Sequence, residues 1–129
     1  MKLLLDTHIF LLALMAPERL HASTRAFLEA AGHTLYLSAA SGWEISLAVQ
    51  SGAVSLPAPP GEYVENRMER AGITPLPLTH AHMARAAGLP VHHTDAVDRF
   101  LAAQTLEEGM VMLSDNPVFK RYGVKLAKL

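Results

Sequence analysis

The chain alternates short apolar runs with longer stretches of helical character. Residues 2–5, 35–38 and 110–113 are apolar runs, and the first of them lacks the polar alternation of a half-exposed strand. Runs of this kind, separated by helices, are typical of βαβ units in which helices cover both faces of a sheet. The order predicts an α/β fold with three layers, α/β/α, around a central, mostly parallel sheet of four to five strands.

Caps and breaking residues set the bounds of the predicted elements. Ser41 is the expected N-cap of the middle helix, which puts Glu44 in its first turn at the capping-box position. Pro75 and Pro77 restrict the strand around them to a sheet edge. The strand at 110–113 is expected to be central, and a last edge strand could form at 124–126. The predicted helices span residues 9–15, 23–31, 41–50, 62–71, 80–87 and about 95–107.

The composition is that of one compact globular domain, spanning residues 1–129. Half of the residues are hydrophobic and 18% are charged, as expected for a folded chain with a sizeable core. The absence of cysteine excludes disulfides, zinc–thiolate sites and a cysteine nucleophile. Asp6 interrupts the apolar N-terminal stretch, so we expect no targeting signal, no membrane partner and a cytoplasmic location.

Four carboxylates lie far apart in the sequence but at related places in the predicted fold. Asp6 and Asp115 directly follow predicted strands, whereas Glu44 and Asp98 lie near the starts of helices. The carboxyl ends of parallel strands share one edge of the sheet, where ligands bind. Each acid alone could be only a helix cap, but Asp98 has Asp95 available upstream for that purpose. We therefore expect the fold to gather the four acids.

Carboxylates gathered at one place repel one another unless a cation lies among them. Their titrations are then coupled, and at least one pKa is raised. Oxygen ligands favour Mg²⁺ or Mn²⁺, which can activate water for attack on phosphorus. The net charge is −1, and setting the four acids aside leaves eight acidic against eleven basic residues, or +3. The pattern predicts a metal-dependent enzyme that cleaves phosphodiester bonds.

Four ordered motifs resemble those of a known family. They are Leu-Leu-Leu-Asp-Thr-His at 3–8, Ser-Gly-Trp-Glu-Ile at 41–45, Asp-Ala-Val-Asp-Arg-Phe-Leu-Ala-Ala-Gln at 95–104, and Leu-Ser-Asp at 113–115. Each motif alone is a weak signal, but together they cover nearly the full chain in the expected order. The chain resembles PIN-domain ribonucleases, and among them the VapC toxins of toxin–antitoxin pairs.

The resemblance implies a PIN-like fold and a toxin that cleaves RNA and is silenced by a cognate antitoxin. It implies an acidic site for one or two Mg²⁺ or Mn²⁺ ions, made by Asp6, Glu44, Asp98 and Asp115. Three residues are similar to the supporting positions of the family, namely Asp95, Thr7 and Ser114.

The chain departs from the family pattern at two places. Ala96 and Val97 stand where the family usually has proline and phenylalanine, which should loosen the helix entry without removing an acid. Ala48 stands where many relatives have a basic residue, four positions after the glutamate. Arg99 therefore becomes the nearest candidate for binding substrate phosphate.

Several alternatives remain open from the sequence. The apolar helix at 9–16 could be covered by the helix at 23–31, by a second copy in a homodimer, or by an antitoxin segment. Trp43 is expected in the core, with base stacking as the alternative, and His8 is expected to pack at the start of its helix. Histidine pairs at 80/82 or 92/93 could bind zinc or nickel, although neither has the helical i, i+4 spacing. The alternative function is a non-catalytic PIN-like module that binds RNA or protein.

Overall fold

The computed structural model describes residues 1–128, which contain a four-stranded parallel sheet. Its strands are β1 (Lys2–Leu5), β2 (Thr34–Ser38), β3 (Thr74–Leu76) and β4 (Val111–Leu113), arranged in the order β3-β2-β1-β4. β1 lies between β2 and β4, with Leu4 opposite Tyr36 on one side and Met112 on the other. The predicted α/β fold with its mostly parallel sheet is confirmed.

In this described part of the chain, seven α-helices flank the sheet, together with a short 3-10 helix at Pro17–Arg19. Most of them agree with the predicted helices to within two residues. α4 starts at Pro60 rather than at residue 62, because proline is well tolerated at the first helical position, where its missing N–H has no partner to lose. The helices are α1 (Thr7–Met15), α2 (Ala22–Glu29), α3 (Ala39–Gln50), α4 (Pro60–Ala71), α5 (His80–Gly88), α6 (Ala96–Glu107) and α7 (Val118–Arg121).

Hydrophobic cores lie on both faces of the sheet. Because successive residues of a strand point to opposite faces, Leu3 and Leu5 pack with Phe10 of α1 on one face. Leu4 packs with Leu101 of α6 on the other face. Each such buried side chain stabilises the fold by roughly 1.5–3 kcal/mol. β1 is therefore held firmly at the centre, and so is the residue that follows it.

The edges of the sheet differ in part from the prediction. β3 lies at one edge, as its prolines required. The prediction that the strand at 110–113 is central is wrong, because β4 is the outer strand at the other edge. The expected last strand at 124–126 is reduced to a single parallel bridge between Met112 and Leu126. Two backbone hydrogen bonds of 2.9 Å support this bridge, from Met112 N–H to the Lys125 carbonyl and from Ala127 N–H to the Met112 carbonyl.

The helix that carries Glu44 starts earlier than predicted. α3 begins at Ala39, and its N-cap is Ser38, whose Oγ accepts a 3.0 Å hydrogen bond from Ala40 N–H. The prediction of Ser41 as N-cap is therefore wrong, and Glu44 lies in the second turn instead of at a capping-box position. Both serines are good N-caps, and the first one is used because the helix follows β2 without a loop.

Two aromatic side chains lie at the surface, contrary to prediction. Trp43 is 58% exposed and borders a groove of about 600 Å³ that also includes Pro60 and Met68 of α4. The expectation that it lies in the core is wrong. His8 is also exposed rather than packed at the start of α1.

Among residues 1–128, no helix combines the length and the apolar character needed to cross a bilayer.

Candidate active site

The end of β1 places Asp6 at the carboxyl edge of the sheet. Its backbone N–H donates to the carbonyl of Leu113 at the end of β4, at 3.1 Å, so the two strand ends are tied together. The side chain is buried, and Ser114 Oγ donates to Asp6 Oδ2 at 2.6 Å. Ser114 Oγ also accepts from Asn116 N–H at 3.0 Å. The carboxylate of Asp6 is therefore held in one orientation by its neighbour across the sheet.

Thr7 links the first helix to the helix that carries Glu44. Its Oγ1 donates to Ser41 Oγ at 2.8 Å in a buried hydrogen bond. The Thr7 side chain also lies close enough to Glu44 to oppose the rise in the pKa of Glu44 that burial causes. Thr7 thus places the start of α1 beside Ser41 and Glu44 of α3.

The start of α6 supplies two further acids. Asp95 is the N-cap of α6, and its Oδ1 accepts from Asp98 N–H at 2.9 Å. Asp98 lies one turn inside the helix, so its own carboxylate is free of capping. Its Oδ2 lies 3.1 Å from Nε2 of His93, in the loop before the helix. Asp95 therefore serves as the helix cap, and the Asp98 carboxylate stays available for other contacts.

The pKa values of three of these acids are raised. Burial is the main cause for Asp6, Glu44 and Asp98, because desolvation disfavours the charged form. Like charges add to it: the pKa of Asp6 is raised by Asp98 and Asp115, and that of Glu44 by Asp95, Asp98 and Asp6. The hydrogen bonds from Ser114, Thr7 and His93 oppose these increases. Asp6 is therefore within electrostatic reach of the other three acids predicted from the sequence, Glu44, Asp98 and Asp115.

Asp115 is exposed and is free of the capping role that its position suggested. The first N–H of α7 is instead bound by Asn116, whose Oδ1 accepts from Val118 N–H at 3.1 Å. Ser114 and Asp115 border a cleft of about 800 Å³ that also includes Lys120 and Lys128. Asp115 therefore lies at the border of a cleft that also has basic side chains.

The acids suit a hard divalent cation. Within residues 1–128, no group of three or more His, Asp or Glu side chains is already close enough to hold an ion. Mg²⁺ does not need such a group, because it keeps several of its waters and is usually bound through one or two carboxylates together with substrate phosphates. An all-oxygen donor set fits Mg²⁺ or Mn²⁺. The alternative of a zinc or nickel site at His92 and His93 gains no support.

Arg99 has structural partners that account for its guanidinium. Nη1 donates to the carbonyl of Pro90 at 2.8 Å, and Nη2 donates to those of Ala86 and Leu89 at 2.9 and 3.1 Å. These carbonyls belong to the end of α5 and the segment after it. Its assignment to substrate phosphate stays a prediction that these contacts do not favour.

The sequence suggested His93 only as half of a possible zinc or nickel pair and gave Tyr122 no role. His93 Nδ1 lies 2.7 Å from the Tyr122 hydroxyl, and its other ring nitrogen reaches Asp98. The only signal in the sequence was that His93 lies two residues before the helix-capping acid. Tyr122 is 29 residues away and gave no signal.

Residues 3–125 match the sequence model of the PIN domain family. The chain belongs to the PIN domain family. Over a stretch of 69 residues, this PIN domain is 44% identical to Ribonuclease VapC16 of Mycobacterium tuberculosis. The stretch covers 52% of this chain and 49% of that protein. The match thus spans about half the length of the curated relative.

Two solved structures are similar to nearly the whole PIN domain. VapBC2 from Rickettsia felis, bound to a DNA fragment from its promoter, has a TM-score of 0.75 at 16% identity and covers 98% of each chain. FitAB bound to an IR36 DNA fragment has a TM-score of 0.66 at 26% identity, covering 97% of this chain and 93% of that one. The PIN-like fold and the resemblance to VapC proteins, both predicted from the four motifs, are confirmed.

Proposed function

We propose that this PIN domain is a Mg²⁺- or Mn²⁺-dependent endoribonuclease, a VapC-type toxin that is inhibited by a cognate antitoxin. The observation that carries the proposal is Asp6, a buried acid whose pKa is raised by its burial and by Asp98 and Asp115. Such a cluster is unfavourable until a divalent cation neutralises it. The similarity to a protein named as a ribonuclease supports RNA as the substrate.

The side chains of the site would bind ions and orient them. One or two ions would be held by the four acids, Asp6, Glu44, Asp98 and Asp115. When bound, the metal would lower the pKa of a water for attack at phosphorus and stabilise the departing oxyanion. Ser114 fixes the direction of the Asp6 carboxylate through its hydrogen bond, and Thr7 favours the ionised form of Glu44. Water, rather than a side chain, would be the nucleophile.

RNA would reach the acids through the cleft beside Asp115. Lys120, Lys128 and His21 border this cleft, and basic side chains attract the phosphate backbone and release its counterions. Both lysines are exposed. Because the Arg99 guanidinium is occupied by backbone carbonyls, we assign the binding of substrate phosphates to the two lysines.

RNA cleavage by the purified chain, freed of any partner, tests the activity. We expect a structured, end-labelled RNA to be cut with Mn²⁺ and to stay intact with EDTA. Asp6→Asn and Asp98→Asn should each reduce the rate by roughly 100-fold or more, the scale of losing a charged group that stabilises the transition state. Glu69→Gln, an exposed acid on α4, is the matched control and should cleave like the wild type.

Two other outcomes would decide against parts of the proposal. Equal cleavage by the wild type and by both aspartate variants would remove the site assignment. If no RNA is cut at any Mn²⁺ concentration, the chain is better described as a non-catalytic module that binds RNA or protein.

We also propose an antitoxin and a second copy of the chain as protein partners. Met15 on α1 and Leu47 on α3 are large apolar side chains that are at least 41% exposed, as is Trp43, and exposed apolar surface of this kind marks protein interfaces. Light scattering should give the mass of a homodimer for the free protein. Addition of the cognate antitoxin should abolish RNA cleavage, and unchanged cleavage in a stable complex would contradict the inhibition.

A further inference from the structure

His93 connects a buried tyrosine to one of the acids. The ring lies between the Tyr122 hydroxyl, 2.7 Å from Nδ1, and Asp98 Oδ2, 3.1 Å from Nε2. We propose that His93 is a positioning residue that fixes the Asp98 carboxylate for binding the divalent cation, and that Tyr122 fixes His93 in turn. The inference rests on the proposed metal-dependent function and adds residues outside the acidic cluster to it.

The hydrogen-bonding groups match one another along this row of side chains. An ionised Asp98 only accepts, so Nε2 of His93 donates to Oδ2. Nδ1 and the Tyr122 hydroxyl can each donate or accept, so they form a hydrogen bond in either direction. The phenol oxygen also lies 3.4 Å from Nη1 of Arg99, which only donates. The ring of His93 is therefore held at both nitrogens, with Nε2 directed at the Asp98 carboxylate.

The end of this hydrogen-bond series that is farthest from Asp98 is fixed by the fold. Arg99 is fixed by the three carbonyls at the end of α5, and its guanidinium carbon lies 5.8 Å from the centre of the Tyr122 ring. Tyr122 itself is only 6% exposed. The hydroxyl that orients His93 therefore has little freedom to move.

The arrangement leaves one oxygen of Asp98 for an ion. Oδ2 is occupied by His93, so the carboxylate can rotate less, and Oδ1 is the oxygen without a hydrogen bond to a neighbouring side chain among the described residues. Residues that hold a metal ligand in its orientation typically change metal affinity by about 10–100-fold when they are mutated. We expect a contribution of this size from His93.

Mn²⁺ binding to the purified full chain, measured by electron paramagnetic resonance of the free ion, tests the inference without requiring catalysis. His93→Ala should raise the Kd for Mn²⁺ by roughly 10–100-fold. His93→Gln should restore much of the affinity, because its amide N–H can replace the Nε2 donor. Tyr122→Phe should have a smaller effect of about 2–10-fold, the scale of one neutral hydrogen bond.

His92→Gln is the matched control. The His92 ring also contacts Tyr122, edge to face with 4.8 Å between centroids, and this variant should bind Mn²⁺ like the wild type. In RNA cleavage, His93→Ala should raise the Mn²⁺ concentration for half-maximal rate, and saturating Mn²⁺ should restore most of kcat. A purely structural role would instead lower kcat at every Mn²⁺ concentration.

The outcomes separate this inference from the proposed function. If the wild type binds Mn²⁺ and cleaves RNA but His93→Ala has an unchanged Kd, the positioning role is overturned while the nuclease function stands. The role is also overturned if His93→Gln binds as weakly as His93→Ala. If the wild type neither binds Mn²⁺ nor cleaves RNA, both are overturned.

Discussion

Ser114 Oγ donates a 2.6 Å hydrogen bond to Oδ2 of Asp6, which lies 108 residues earlier in the chain. Both side chains are buried, and each follows a strand of the same parallel sheet. The contact joins the first and last of the four motifs at the carboxyl edge of β1 and β4. It shows physically why residues at opposite ends of the sequence can belong to one site.

Ser114→Ala should weaken both the fold and the site. It removes a hydrogen bond to a charged acceptor as well as the acceptor for Asn116 N–H, so the free energy of unfolding should fall by about 1–3 kcal/mol. Chemical denaturation measures this directly. Ser46→Ala is the control, since Ser46 Oγ bonds only a carbonyl within α3. An equal loss in both variants would show that the bond to Asp6 contributes nothing special.

Asp6→Asn should stabilise the metal-free protein at neutral pH. Because the pKa of Asp6 in the folded state is raised above the ordinary value of 3.8, the folded state holds this proton more tightly than the unfolded state. The stabilisation is complete below pH 3.8 and is lost as the pH rises through the raised pKa. The variant has no carboxyl group to ionise at this position, so it does not lose this stability. At pH 7 in EDTA its Tm should therefore be a few degrees higher than that of the wild type, since about 1 kcal/mol shifts the Tm by roughly 3–6 °C.

The same comparison has two internal checks. Below about pH 3.8 the difference in Tm should vanish, because the wild-type carboxyl is then protonated in both states. Adding Mn²⁺ at pH 7 should raise the Tm of the wild type more than that of the variant. A wild-type protein that is the more stable of the two at pH 7 in EDTA would mean that Asp6 is well satisfied without a cation.

Arg99→Met should reduce stability and leave RNA binding unchanged. The substitution keeps the apolar stem but removes the donors to the carbonyls of Ala86, Leu89 and Pro90. A loss of about 1.5–3 kcal/mol in the free energy of unfolding is expected for hydrogen bonds made by a charged group. If instead stability is unchanged and KM for RNA rises, the phosphate-binding role suggested by the sequence is the correct one.

Lys120→Ala and Lys128→Ala should raise KM for RNA and leave kcat unchanged. Each lysine borders the cleft beside Asp115, so its loss should weaken binding rather than chemistry. For single-stranded RNA the slope of log affinity against log salt should become shallower by roughly 0.7 for each phosphate that is no longer neutralised. Lys2→Ala is the control, since Lys2 lies at the opposite, amino end of β1. Equal effects of all three variants would indicate only a general charge effect.

Local signals in the sequence were sufficient for most of the architecture. The apolar run of β1 predicted a strand without a solvent-exposed face, and β1 contributes to the cores on both faces. The proline pair of β3 predicted an edge strand, and β3 lies at an edge. Thr79, directly before the predicted helix at 80–87, caps α5, with its Oγ1 accepting from His82 N–H at 3.2 Å. These features depend on a few neighbouring residues, so the sequence contains the information needed to predict them.

Other features depend on long-range packing that no local pattern records. Ser38 and Ser41 are equally suitable as N-caps, and only the end of β2 decides between them. Trp43 has the large apolar side chain of a core residue but lies on the exposed side of α3. The edge position of β4 could not be predicted either, because an apolar run does not show which strands lie beside it in the sheet.

For the site, the four acids could be found because each follows a strand or lies within the first two turns of a helix. The motif resemblance also pointed to Thr7 and Ser114, whose hydroxyls contact the acids. The hydrogen bond between Tyr122 and His93 could not be found, because it joins the end of α7 to the loop before α6. The same long-range packing explains why Arg99 binds carbonyls rather than facing the cleft.

The central claim is that separate carboxylates converge on a divalent cation, and anomalous scattering from crystals soaked in Mn²⁺ tests it most directly. We predict one or two manganese peaks among Asp6, Glu44, Asp98 and Asp115, with the carboxylate oxygens drawn to the coordination distance of about 2.0–2.2 Å typical of a small hard dication. Crystals of Asp6→Asn should lose or weaken the peaks. A well-ordered wild-type crystal with no manganese at these acids, or with manganese only elsewhere, would contradict the account.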